Sequence, residues 1–323
     1  MRVVIRRYMS ILLLFSFSAA FNRSTNLVYI KLPKCASSTV GGIARRIAAH
    51  YRLRGINGTA TVNLAILSNS HDDKRKYILE PQVFANHAEM SKLDLSLLRQ
   101  PSFVFSLVRE PSKRCISSYF YTNVHRNGAN ITLQSEIGSL RQCKNGLFSY
   151  LVPRGCKNVS CLFSAYDFIG TVETWDKSMV LLAHLTGVPI SAVLSVEAKS
   201  NPHPPLHQPA IDYISGPSFN ESNKLDIALY EQVQQRLDTL ANNMGSHFNI
   251  KLNEFKEKQS RATQVCSYNV ELYSLTHECK ILKSKSTLHC GNIPKPWPNL
   301  EDLCYWGDNG CNYRCLDAFF GYP

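Results

Sequence analysis

Acidic side chains are in short supply: 24 Asp and Glu stand against 36 Lys and Arg, leaving a net charge of +12 over 323 residues. Such a bias favours anionic partners, whether nucleic acid, anionic polysaccharide or phosphorylated small molecules. Charged residues of both signs reach only 19%, against 44% apolar, a balance that argues against general disorder. Long apolar runs are also missing. The longest, Met9 to Phe21, is shorter than the roughly 20 residues that span a bilayer as a helix. No internal repeat or low-complexity tract occurs, which leaves a folded enzyme or binding protein of one large or two modest domains. No Cys-x-x-Cys pair is present, and the common phosphate loop G-x-x-x-x-G-K-[ST] is absent.

What is present at the N-terminus is a leader. Arg2, Arg6 and Arg7 precede the short apolar run, and Ser18 and Ala20 close it, so residues 1–21 read as a signal peptide or a short signal anchor. The short spacing to the first strand leaves no stem and points to a cleaved, soluble product. Sequons at Asn22, Asn57, Asn130, Asn158 and Asn220 agree with the secretory pathway, as do eleven cysteines, six of them from Cys266 onward. The expected location is the Golgi lumen or membrane, or the cell exterior, where nucleic acid is the least fitting partner.

Strand and helix patterns alternate. Leu27 to Leu32 is a β-branched and aromatic run. After a Pro-Lys-Cys-Ala turn, Val40, Ile43, Ala44, Ile47, Ala48 and Tyr51 recur at helical spacing. Phe103 to Val108 repeats the strand pattern and ends at Arg109-Glu110-Pro111, with a helix expected from Ser112 to Tyr121. A third unit runs from Tyr166 to Val172 and then from Trp175 to Thr186. This alternation predicts an α/β domain with a central, mostly parallel sheet flanked by helices. Residues 201–209 are too proline-rich for either element and read as a surface loop. A long amphipathic helix is expected over Asn223 to Phe248, with Asn223 and Asp226 as its cap. The domain is bounded at 26–258, and 259–323 reads as a small disulfide-rich subregion packed on it.

A loop running from strand into helix is a ready anion site, because the first turn of the helix offers free N–H groups. Lys34 adds a positive charge there, and Ser37, Ser38 and Thr39 add hydroxyls. Arg109 at the end of the second strand, with Ser117 two helical turns later, suits a second phosphate.

These residues carry a resemblance. Lys31-Leu-Pro-Lys-Cys-Ala-Ser-Ser-Thr39 resembles the 5′-phosphosulfate loop of carbohydrate sulfotransferases that use 3′-phosphoadenosine 5′-phosphosulfate (PAPS). Phe105 to Ser117 resembles their 3′-phosphate segment. Galactose 3-O-sulfotransferases are most similar, then heparan sulfate 2-O-sulfotransferases. The resemblance implies a P-loop-like sulfotransferase fold, PAPS as donor, no metal, and a glycan acceptor of galactose or uronic acid type. It assigns Lys34, Cys35, Ala36, Ser37, Ser38 and Thr39 to the 5′ end of PAPS, with Arg109 and Ser117 at its 3′-phosphate. His87 becomes the catalytic base and Lys34 the stabiliser of the leaving oxygen; Glu89 is the alternative base. Cys35 departs from the family, which often has Thr there.

A histidine suits a general base because its ordinary pKa lies near neutrality. A non-catalytic glycan-binding protein on the same scaffold is the alternative function. A nucleotide kinase is disfavoured by the missing Gly-Lys-[Ser/Thr]. Cys156 and Cys161 are expected to pair, Cys35 is expected to be the unpaired thiol, and the C-terminal cysteines read as disulfides rather than zinc ligands. His50, His125, His203 and His207 read as surface or loop residues, with the segment 201–209 bordering an acceptor cleft.

Overall fold

The structure, a computed structural model, describes residues 24–53, 82–98, 100–196, 203–266 and 313–319. The leader expected over residues 1–21, the sequons at Asn22 and Asn57, and Cys279, Cys290, Cys304 and Cys311 lie outside the described residues. So does most of 259–323.

Among the described residues, four strands form one parallel sheet in the order β2-β1-β3-β4: β1 is Asn26–Ile30, β2 Val83–Asn86, β3 Ser102–Val108 and β4 Phe168–Thr171. Every residue of β1 is buried, as expected for a central strand covered on both faces. Tyr29 stacks on Phe105 of the neighbouring strand with ring centroids 4.8 Å apart. At the amino ends, Asn26 ties three strands together: it accepts from the Gln82 backbone N–H at 3.0 Å and donates to the Gln100 carbonyl at 3.2 Å. The fold class read from the strand-helix alternation is the observed one.

Helix α1, Ser37–Tyr51, buries Val40, Ile43, Ala44, Ile47 and Ala48, the face that the spacing predicts. Its last residue, Tyr51, donates to the Thr186 carbonyl at 2.7 Å and so reaches the end of α6, Trp175–Thr186. Strand β2 was not expected from the sequence; four residues, Val-Phe-Ala-Asn, are too few to show a period.

The second helix begins at Pro111, as expected, but is α-helical only through Ser118 (α2, Pro111–Ser118). The chain then continues as a π-helix over Tyr119–Arg126. Helices α3 (Leu133–Gln142), α4 (Gly146–Leu151) and α5 (Val159–Phe163) lead to β4. The proline-rich loop ends where α7, Gln208–Ser215, begins with Pro209 in its first turn, followed by α8, Pro217–Ser222.

The long helix expected over 223–248 is two helices: α9, Lys224–Met244, and α10, Ser246–Cys266. Gly245, at φ 58°, breaks them. Asn223 is the N-cap residue of α9, as expected, but neither its side chain nor that of Asp226 caps this helix. Both side chains face α4 instead: Asn223 Oδ1 accepts from the Asn145 N–H at 3.1 Å, and the buried Asp226 carboxylate accepts from the Leu147 and Phe148 N–H groups at 2.9 and 2.8 Å. Asp226 thus caps a helix about 80 residues away, which no local pattern encodes.

Among the described residues, three disulfides join Cys115 to Cys143, Cys156 to Cys161 and Cys266 to Cys315; the last fastens α11, Tyr313–Phe319, to α10. The short-loop pair is the expected one. Cys35 is free and buried, also as expected.

Candidate active site

The sheet order creates the site. The chain leaves β1 towards β2 on one side and leaves β3 towards β4 on the other, so the loops beyond β1 and β3 diverge. Between them opens a crevice at the carboxyl ends of the strands, the place where open α/β sheets bind ligands. Neighbouring strands lie about 5 Å apart. Reading across the sheet, the residues just beyond the strand ends are His87 (β2), Lys31 to Lys34 (β1), Arg109 (β3) and Glu173 (β4).

The β1 loop is strained in a definite way. Lys34 and Ala36 both hold positive φ, 66° and 53°, a left-handed conformation that costs a non-glycine residue about 1–2 kcal/mol. Strain of this kind gathers at ligand clamps, where the surrounding structure enforces it. Ala36 is also the N-cap of α1, and no side chain caps the helix. Ser37 and Thr39 are half-buried and Ser38 is buried. The first turn of α1 therefore presents its N–H groups and three hydroxyl-bearing residues at the strand-end crevice.

Two contacts tie the β1 and β3 loops together. Arg109 Nη1 donates to the Lys34 carbonyl at 3.4 Å. Beneath it lies Cys35, fully buried, with its thiol facing the Arg109 backbone N–H. Burial pushes that thiol up to about 12, overriding the opposing pull of Arg114 and Arg109, so it stays protonated and inert. The position holds a buried filler. Its backbone N–H turns back to the Leu32 carbonyl at 3.4 Å.

Arg109 Nε is buried and has no hydrogen-bond partner among the described residues. A buried guanidinium N–H left unmade is costly, and an anion beside it would satisfy it. Ser117 is half-buried on α2, whose N-terminus is capped by Glu110 accepting from Ser112 and Lys113 N–H groups at 3.0 and 2.8 Å.

On the other side of β1, His87 Nδ1 lies 2.8 Å from the Lys31 carbonyl. A carbonyl can only accept, so Nδ1 carries the proton and Nε2 is the basic nitrogen. Glu89 is paired with Lys92 at 3.0 Å.

Sequence reasoning missed three parts of this region. The Lys34 ammonium lies 3.8 Å from the centroid of the Tyr121 ring. His125, read from sequence as a surface residue, is half-buried with Nε2 enclosed and unpartnered among the described residues. Its imidazole is held below the ordinary 6.5, first by burial, then by the charges of Lys34 and His203. His203, in the proline-rich loop, stacks on Phe120 at 4.0 Å. Ser117, Tyr121 and His125 recur at four-residue intervals, a signal that could have linked them had the helix been extended past Tyr121. The third missed part is Glu173, which accepts from the Glu110 backbone N–H at 3.1 Å.

The sulfotransferase family profile matches residues 18–204, more than half of the chain, and this span holds all four strands and their loops. The chain belongs to the sulfotransferase family. No curated protein matches it at a significant level. Membership implies PAPS as donor. Two features of this sulfotransferase fit that group: the uncapped start of α1, suited to a 5′-phosphate, and the orphaned Nε of Arg109, suited to a second anion. Among the described residues no cluster of three or more metal-ligating side chains occurs, and no helix is long and apolar enough to cross a membrane.

Proposed function

We propose that the protein is a carbohydrate O-sulfotransferase of the secretory pathway, acting on a galactose or uronic acid hydroxyl of a glycan. The observation that carries this reading is the succession His87, Lys34, Arg109 across adjacent strand ends, with Arg109 bonded to the Lys34 carbonyl. PAPS, when bound, supplies the sulfuryl group, with 3′-phosphoadenosine 5′-phosphate as the leaving group.

The chain's own residues have separable tasks. Arg109 and Ser117 hold the 3′-phosphate, and the first turn of α1, with Ser37, Ser38 and Thr39, holds the 5′ end. Lys34, whose ammonium rests on the Tyr121 ring and which precedes that turn in the same loop, stabilises the charge that develops on the leaving oxygen. His87 takes the proton of the acceptor hydroxyl on Nε2, since the Lys31 carbonyl fixes the proton on Nδ1. The close pairing of Glu89 with Lys92 favours His87 over Glu89 as the base. His125 and His203 border the same region from the α2 side and are assigned to the acceptor cleft.

The glycan acceptor is supported by the net charge of +12, by the leader and by the exposed sequons Asn130, Asn158 and Asn220, which together suit anionic glycans in a luminal compartment. The acceptor classes proposed are those of the galactose 3-O- and heparan sulfate 2-O-sulfotransferases, whose motifs the two loops resemble. Residues 26–258 are proposed as the catalytic domain, with 259–323 as its disulfide-fastened extension.

The test is transfer of labelled sulfate from PAPS to a panel of glycans, with wild type compared against His87→Ala and Lys34→Ala. Turnover is expected with at least one acceptor, falling by about 10²–10³-fold in each variant. Failure of the wild-type protein to bind the product nucleotide in calorimetry would sink the reading.

A further inference from the structure

We propose that Glu173 is a positioning residue for Arg109, and that through it helix α9 sets how tightly the site holds a 3′-phosphate. The inference rests on the assignment of Arg109 to that phosphate.

Glu173 stands just beyond β4, next to the end of β3. Its Oε2 accepts two hydrogen bonds: one from the Glu110 backbone N–H at 3.1 Å and one from the Tyr230 hydroxyl at 3.1 Å. The Glu110 N–H belongs to the peptide that directly follows Arg109, so its orientation is the ψ angle of Arg109. Fixing that peptide fixes the direction in which the arginine side chain leaves the backbone. Tyr230 is largely buried on α9, and its hydroxyl accepts in turn from Gln234 Nε2 at 3.2 Å. A chain of hydrogen bonds thus runs from α9 through Glu173 to the arginine loop.

Electrostatics makes the placement informative. A carboxylate near a phosphate site repels the ligand, so Glu173 disfavours binding by charge alone. It is half-buried and occupied by two donors, which keeps it facing the backbone rather than the crevice. The Tyr230 phenol is pushed up by burial and then by the charge of Glu173, so it remains a donor at any physiological pH. The relay holds only while Glu173 accepts, a property the amide of glutamine would keep and alanine would lose.

The experiment measures the affinity of the full chain for 3′-phosphoadenosine 5′-phosphate (PAP) and for adenosine 5′-monophosphate (AMP) by calorimetry. The two ligands differ only in the 3′-phosphate. For Glu173→Ala, PAP affinity is expected to fall about tenfold while AMP affinity holds, and Glu173→Gln should recover most of the loss. If the alanine variant does not fold, Tyr230→Phe removes one of the two donors and is expected to weaken PAP about two- to threefold, again sparing AMP.

A folded Glu173→Ala protein with the wild-type PAP-to-AMP ratio overturns the proposal, and so does an equal loss for both ligands, which marks a merely structural residue. A wild-type chain that binds PAP no better than AMP overturns the assignment of Arg109 beneath it. That result is told apart at once, because it appears before any Glu173 variant is compared.

Discussion

Arg109 donates through Nη1 to the backbone carbonyl of Lys34 at 3.4 Å, joining two residues 75 positions apart. The bond spans the crevice between the ends of β1 and β3. It also helps to hold the β1 loop in its strained form, since Lys34 itself sits at φ 66°. The β1 and β3 loops, proposed above as the two anion grips, are therefore one mechanical unit.

On the proposed assignment of Arg109 to the 3′-phosphate, Arg109→Ala should weaken PAP about a hundredfold, because it would remove a charge-assisted contact and loosen the loop that carries Lys34. Arg109→Lys should recover only part of this: lysine restores charge but not the forked geometry. Calorimetry with PAP reads both.

His125 predicts a pH dependence with a definite sign. Its imidazole is held below the ordinary 6.5 in the folded protein, chiefly by burial. The unfolded chain therefore binds the proton more readily, and stability falls as the pH drops through and below 6.5. Melting temperatures between pH 8 and pH 5 should fall less steeply in His125→Gln than in wild type, and Lys34→Ala, which removes a repelling charge, should flatten the profile in the same direction.

Asp226 fastens α9 to the start of α4 through two backbone N–H groups in a buried setting. Asp226→Asn keeps one acceptor oxygen for two donors and should cost about 1–3 kcal/mol; Asp226→Ala should cost more. Urea denaturation measures the difference.

The disulfide between Cys115 and Cys143 closes a loop of 28 residues around the helix that carries Ser117. Replacing both cysteines with serine should lower stability by about 3 kcal/mol. If α2 positions Ser117 for the 3′-phosphate, PAP affinity should fall as well, and AMP affinity should be spared.

The sequence by itself determined the parts whose signals are local. Strands β1, β3 and β4 were legible as apolar runs, α1 by the spacing of Val40, Ile43 and Ile47, and the start of α2 by Pro111. Cys156 and Cys161 announced their bridge by proximity, and Cys35 its isolation. The two strand-loop-helix junctions proposed to bind anions could be located because a strand end, a basic residue and a helix start are contiguous in the chain.

Only the tertiary structure decided the rest. His87 meets the Lys31 carbonyl from 56 residues away because β2 lies beside β1, and β2 was too short to be seen. The π-helix that brings Tyr121 under Lys34 starts within the last turn of the predicted helix and carries the chain on to Arg126, a change of winding that no local pattern records. Asp226 reads locally as a cap for its own helix, yet packing turns it to another. Glu173 looks like any charge after a strand until the sheet order sets it beside Glu110. The physical reason is the same in each case: hydrogen-bond donors and acceptors are satisfied by whichever partner the packed sheet brings near, and a one-dimensional pattern records the groups but not their neighbours.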